Sequence, residues 1–166
     1  MKKTLILGIG NILLSDDGAG VHVALLLAQR LAGREDVEVL DGGTLSFTLA
    51  PLVAGSARLI VLDATELEQT PGTVRTFIGA EVDRLLGRAR LTVHEIGLRD
   101  VLEISRLAGE LPQERALVGI QPASLGWGTE PTPPVAAALE CAAGQVLDLL
   151  TLEHWPAVTD ASRQAA

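Results

Sequence analysis

Three short aliphatic runs, each stopped by glycine or aspartate, constrain this chain more than any other feature. Leu5-Ile6-Leu7 stops at Gly8, Val39-Leu40 stops at Asp41-Gly42-Gly43, and Leu59-Ile60-Val61-Leu62 stops at Asp63. Runs this short, with no alternation of polar and apolar residues, read as strands buried on both faces. The stretches between them carry a different period. Residues 21–31 are apolar nearly all round, as in a largely buried helix. Val135, Ala138, Leu139, Ala142, Ala143, Val146, Leu149 and Leu150 recur at steps of three and four, giving one apolar helix face. Strands and helices in alternation predict an α/β fold, a mostly parallel sheet covered on both sides.

The remaining segments fill in that plan. Residues 3–7, 37–40, 59–62, 73–78 and 116–120 read as strands. Thr44 is placed to cap a short helix running to about Val53, and residues 80–86 and 98–107 read as further helices. Residues 121–134 form a Pro/Gly-rich loop, after which Thr132 and Pro133 suit the start of the last helix. Only about ten residues, marked by Pro71-Gly72 and lacking a helical pattern, join the third strand to residues 73–78. A parallel crossover needs a dozen or more, so residues 73–78 are expected to run antiparallel. One domain over 1–150 is expected, with 151–166 as a flexible C-terminal tail.

Composition removes several classes of function. Lys plus Arg number 13 against 21 Asp plus Glu, a formal charge of −8. That balance opposes phosphate backbones and anionic lipid, so no nucleic acid partner is expected. No run approaches the ~20 apolar residues of a membrane span, so no membrane insertion is expected either. The single cysteine, Cys141, excludes an internal disulfide and fits a reducing, cytoplasmic setting. It lies on the alanine-rich last helix and is expected to be a packed, inert thiol. Gly8-Ile9-Gly10 begins like a dinucleotide loop, but Leu13 stands where the third glycine belongs and Asp16-Asp17 follows. Carboxylates at that helix entrance would repel a phosphate, so no nucleotide is expected.

Sites in open α/β sheets form beyond the carboxyl ends of the strands. The residues there are Asn11, Asp16 and Asp17 after the first strand, Asp41 after the second and Asp63 after the third. His94 lies in residues 91–95, read as a strand-like run and loop before the helix of 98–107. His22 falls inside the first helix and His154 in the tail, where neither suggests a site. Each acid has an ordinary alternative: Asp16 and Asp17 as helix-start carboxylates, Asp63 as the cap of a turn. Together, two carboxylates and an imidazole would suit a divalent ion with open positions left for a substrate.

The segment Gly8-Ile9-Gly10-Asn11-Ile12-Leu13-Leu14-Ser15-Asp16-Asp17-Gly18-Ala19-Gly20 resembles the opening signature of the hydrogenase maturation endopeptidases. Asp41-Gly42-Gly43-Thr44, Leu62-Asp63-Ala64, His94-Glu95-Ile96-Gly97-Leu98 and Val118-Gly119-Ile120-Gln121-Pro122 resemble the later blocks in the same order. The resemblance implies a three-layer α/β/α sandwich around a five-stranded, mainly parallel sheet with one antiparallel strand. It also implies an endopeptidase that removes the C-terminal extension of the nickel–iron hydrogenase large-subunit precursor after nickel insertion. The substrate carries the nickel, which serves as the recognition signal, and the same donors would accept another divalent ion. Carried over by position, Asp17, Asp63 and His94 are the expected metal-contacting and catalytic residues, with Asp41 and Asp16 as weaker candidates. Many members have Glu where this chain has Asp17, one methylene shorter, so either the loop sits closer or Asp16 shares the task. Two other readings remain open on residues alone: a non-catalytic nickel-dependent checkpoint or binding protein, and a metallopeptidase with its own ion.

Overall fold

The three aliphatic runs become adjacent parallel strands in a computed structural model that describes residues 3–44, 47–88 and 91–155. β1 (Thr4–Ile9) lies between β2 (Val37–Gly43) and β3 (Arg58–Ala64). β5 (Glu114–Ile120) pairs in parallel with β3, and β4 (Val74–Ile78) closes the sheet antiparallel to β5. The order is β2-β1-β3-β5-β4. The antiparallel β4 is the outcome expected from its short connection. Asp63 and Ala64 extend β3 beyond the run of 59–62, pairing with Gly119 and Ile120.

Side chains of successive strand residues point to opposite faces, and this alternation sorts the core. Ile6, Ile60, Leu62 and Val118 face α1 (Ala19–Arg30) and α5 (Pro133–Thr151). Leu5, Leu7, Leu59, Val61 and Leu117 face α2 (Ala50–Gly55), α3 (Ala80–Leu86) and α4 (Val93–Leu107). The result is the expected three-layer sandwich. Each fully buried Leu or Ile contributes roughly 1.5–3 kcal/mol. Asp63 continues the register of Leu59 and Val61, so its side chain is directed to the face that carries α4.

Several boundaries differ from the sequence reading. Thr44 does not cap a helix; a 3-10 turn at Phe47–Leu49 leads into α2, which starts only at Ala50. α4 begins at Val93, not residue 98, so His94 stands in its first turn. Thr92 caps that turn: its Oγ accepts from the Glu95 N–H, while Glu95 Oε2 accepts from the Thr92 N–H. This reciprocal capping box fixes the helix start. Contrary to the reading that no run approaches a membrane span, α5 has the length and apolarity of one, but Val135, Ala138, Ala142, Ala143, Val146 and Leu149 are packed in the core.

Beyond α5 the chain folds back over the amino edge of the sheet. Trp155 is buried, its indole N–H donating to the Leu149 carbonyl and its backbone N–H to Glu114. Arg58 lies over its ring, pairs with Glu114 at 2.5 Å, and donates to the carbonyls of Leu152 and Glu153. Residues 156–166, most of the expected tail, lie outside the described residues.

Candidate active site

The first loop is built by close approach. Gly10 has φ of +132°, and a Cβ there would lie 1.9 Å from the Asp17 carbonyl oxygen. Only glycine lets the chain turn back so tightly over the end of β1. That turn places a 3-10 turn, Ser15–Gly18, over the sheet's carboxyl edge. Gly20 then brings α1 down onto the strands, since a Cβ there would lie 2.1 Å from the Leu62 carbonyl oxygen.

Asp17 and His94 meet at this edge. His94 Nε2 lies 2.8 Å from Asp17 Oδ2, and both side chains are buried. Against an ionised carboxylate, Nε2 is the donor. The Asn11 backbone N–H donates to the same oxygen at 2.9 Å, and Asn11 Oδ1 accepts from the Leu13 N–H. Asp17, short as it is, therefore reaches the imidazole directly. His94 Nδ1 is buried and has no hydrogen-bond partner.

Asp63 is the anomaly of the site. It is fully buried, and neither carboxyl oxygen has a hydrogen-bond partner. Burial pushes its pKa well above the usual carboxylate range, and the charges of Glu95 and Asp17 push it further the same way. The Ala64 N–H, close by but outside hydrogen-bond geometry, offsets this only in part. A carboxyl in such surroundings needs a proton or a cation. Among the described residues, no three His, Cys, Asp or Glu side chains are arranged to hold an ion as they stand. The Asp17–His94 contact would have to open to admit one.

Asp16 has a different task from Asp17. Its carboxylate accepts from the backbone N–H groups of Ala123, Ser124 and Thr132 and from the Thr132 hydroxyl, at 2.6–3.0 Å. Burial alone would raise its pKa, but these bonds outweigh burial and hold it below the ordinary value. Asp16 thus pins the loop between β5 and α5, and both its oxygens are taken up by that loop. Asp41 is exposed and accepts from the Gly43 N–H, and it is not among the groups whose charge reaches Asp63.

The sequence family model described as hydrogenase maturation protease matches residues 21–149. The chain belongs to that family. The protease is 40% identical to the hydrogenase 2 maturation protease of Escherichia coli (strain K12), over 89% of this chain and 90% of that one. It is also 40% identical to the hydrogenase expression/formation protein HupM of Azotobacter chroococcum mcd 1, over 88% of this chain and 70% of that one. The solved structure of the hydrogenase maturating endopeptidase HybD from E. coli superposes with a TM-score of 0.85. Identity is 38%, covering 94% of this chain and 96% of that one. The protease is accordingly a hydrolase of the endopeptidase class, with the same α/β fold as these relatives.

Two features of the protease escape a residue-by-residue reading. Glu95 is buried and contributes to the field on Asp63. The signal for it was local: Thr-x-x-Glu at residues 92–95 before an apolar stretch marks a helix start. Cys141, expected to be packed, is exposed on α5, beside the stripe that carries Ala138 and Ala142. Cys141→Ala should therefore shift unfolding free energy by no more than about 0.5 kcal/mol, read from urea denaturation. It should leave cleavage unchanged.

Proposed function

We propose that this protease removes the C-terminal extension from the large-subunit precursor of a nickel–iron hydrogenase, after nickel is seated. The nickel belongs to the substrate, and Asp17, Asp63 and His94 receive it. The observation that carries this reading is Asp63, a buried carboxyl with both oxygens unpartnered beside the Asp17–His94 pair. An arriving cation supplies what Asp63 lacks, and it competes with His94 for Asp17. Two carboxylates and an imidazole suit a divalent transition ion and leave positions for groups the substrate already holds. Docking on the metal then fixes the neighbouring peptide bond for hydrolysis by proximity. The exposed, unpaired thiol of Cys141 suits a reducing compartment, and we place the reaction in the cytoplasm.

The test is incubation of purified protease with nickel-loaded and nickel-free precursor, followed by product mass. A shortened product is expected only from the loaded precursor. His94→Ala should slow that cleavage by at least about a hundredfold, within the range seen for loss of groups that act at the reacting centre. His154→Ala, whose side chain is 90% exposed, should match wild type within about twofold. Binding of loaded precursor without shortening would instead favour a checkpoint role. Stoichiometric metal in the protease as purified would favour a resident ion.

A further inference from the structure

The chain has four aromatic residues, two Trp and two Phe. Phe77 and Trp155 are buried in the core. Phe47 and Trp127 are 66% and 86% exposed, and both follow strands at the carboxyl edge that bears the site. Other apolar side chains stand in water on the segments that carry the site residues. Ile12 and Leu13 are exposed in the loop that leads to Asp17, and Val93 and Ile96 are exposed on either side of His94 and Glu95. Single exposed apolar residues are ordinary, but a group of them around one site is not.

The loop that carries Trp127 is not loose. The Ser15 N–H donates to the Gly128 carbonyl at 2.7 Å, and the Gly128 N–H donates to the Leu13 carbonyl at 3.0 Å. Ser15 Oγ donates to the Gly126 carbonyl at 3.0 Å, and Asp16 holds the same loop at Ala123, Ser124 and Thr132. The backbone is thus fixed on both sides of Trp127 while the indole is left in solvent. A large aromatic on a rigid base binds at low entropic cost, the usual character of an interface hot spot. Charge points the same way. Residues 8–15 and 121–129 contain no ionisable side chain, although 20% of the chain is charged. An uncharged apolar surface in an acidic protein suits a macromolecular face better than a small polar ligand.

We propose that Trp127, with Ile12 and Leu13 on one bank of the Asp17–His94 pair and Val93 and Ile96 on the other, forms an apolar collar that seats the hydrogenase precursor. The occupant is the folded precursor, through apolar side chains that flank its metal. This rests on the reading of the site as precursor-cleaving. The segments that carry the collar are tied to that site: Asp16 holds the Trp127 loop, Asp17 is the next residue, and His94 bridges to α4. The metal contacts test whether nickel is present, and the collar selects the protein that carries it.

The experiment is steady-state cleavage of nickel-loaded precursor by wild type, Trp127→Ala, Trp127→Phe and the double variant Val93→Ser with Ile96→Ser. Trp127→Ala and the double variant should each raise KM more than threefold, with kcat within twofold of wild type. Trp127→Phe should restore most of the loss. Unfolding midpoints in urea should not move, because none of these side chains is buried. A KM less than threefold raised in either variant, or a loss that falls on kcat, overturns the collar and leaves the protease reading intact. Direct binding of the loaded precursor provides the second readout. Wild type that binds without cutting overturns the cleavage reading, and the same threefold criterion on Kd then decides the collar. Wild type that neither binds nor cuts the precursor overturns both.

Discussion

Asp63→Asn should yield a protein that is more stable than the parent and cuts nothing. Asp63 is buried with no partner, and Glu95 and Asp17 bear on it with like charge, so folding carries a charge penalty that an uncharged amide of the same shape avoids. The sign of the pH dependence follows from a raised folded-state pKa. The protonated carboxyl contributes its full stability below the unfolded value, about pH 4, and that stability is lost as pH rises through the folded value. Across that window the parent should lose about 1.4 kcal/mol per pH unit relative to Asp63→Asn. The check is urea denaturation of both proteins from pH 4 to 8, set beside their cleavage of loaded precursor. A variant no more stable than wild type at pH 7 would remove the claim that Asp63 is held at a cost to the fold. Retained cleavage would remove Asp63 from the site.

Asp16→Ala is expected to do the reverse. It should lose about 3–5 kcal/mol, a large part of the ~5–15 kcal/mol that holds a domain of this size together. The loss comes from three backbone N–H groups and one hydroxyl left without their acceptor. Each such orphan costs roughly 1–3 kcal/mol, softened where the loop peels open to water. Here the folded-state pKa is depressed, so the contribution of Asp16 is present above the unfolded value and lost as pH falls through the folded one. In wild type, acid should therefore loosen the 121–132 loop while it relieves Asp63. Amide hydrogen exchange at Ala123, Ser124 and Thr132 reads this directly: protection should drop in Asp16→Ala at neutral pH and in wild type at low pH. Unchanged protection in the variant would show that Asp16 does not hold the loop.

The sheet was legible because its signals are local. An aliphatic run of four residues, stopped by an aspartate, cannot do much except cross a core as a strand. The connection after Asp63 was too short for a parallel return, and β4 is indeed antiparallel. The start of the helix that carries His94 is hidden from a local reading, because residues 91–93 are β-like in composition, while the capping pair Thr92 and Glu95 overrides that preference. The exposure of Cys141 is hard to read because an alanine-rich helix shows its stripe only weakly; one step off the stripe turns a side chain by about 100° into solvent. The adjacent acids mark the limit of local reading. Asp16 and Asp17 differ by one position, yet the partners of Asp16 lie more than a hundred residues away. Nothing near them in sequence says which of the two is an anchor and which meets the imidazole.

The two tryptophans sit at opposite ends of the sheet. Trp155 is clasped at the amino edge by Arg58 and Glu114, and Trp127 stands in water at the carboxyl edge. With no tyrosine in the chain, nearly all its near-ultraviolet fluorescence comes from these two rings. One ring is dry and the other wet, so their emission colours differ. The bluer component reports whether the domain is folded, and the redder reports what touches the active edge. A single cuvette can therefore separate a variant that has unfolded from one that has only lost its grip on substrate.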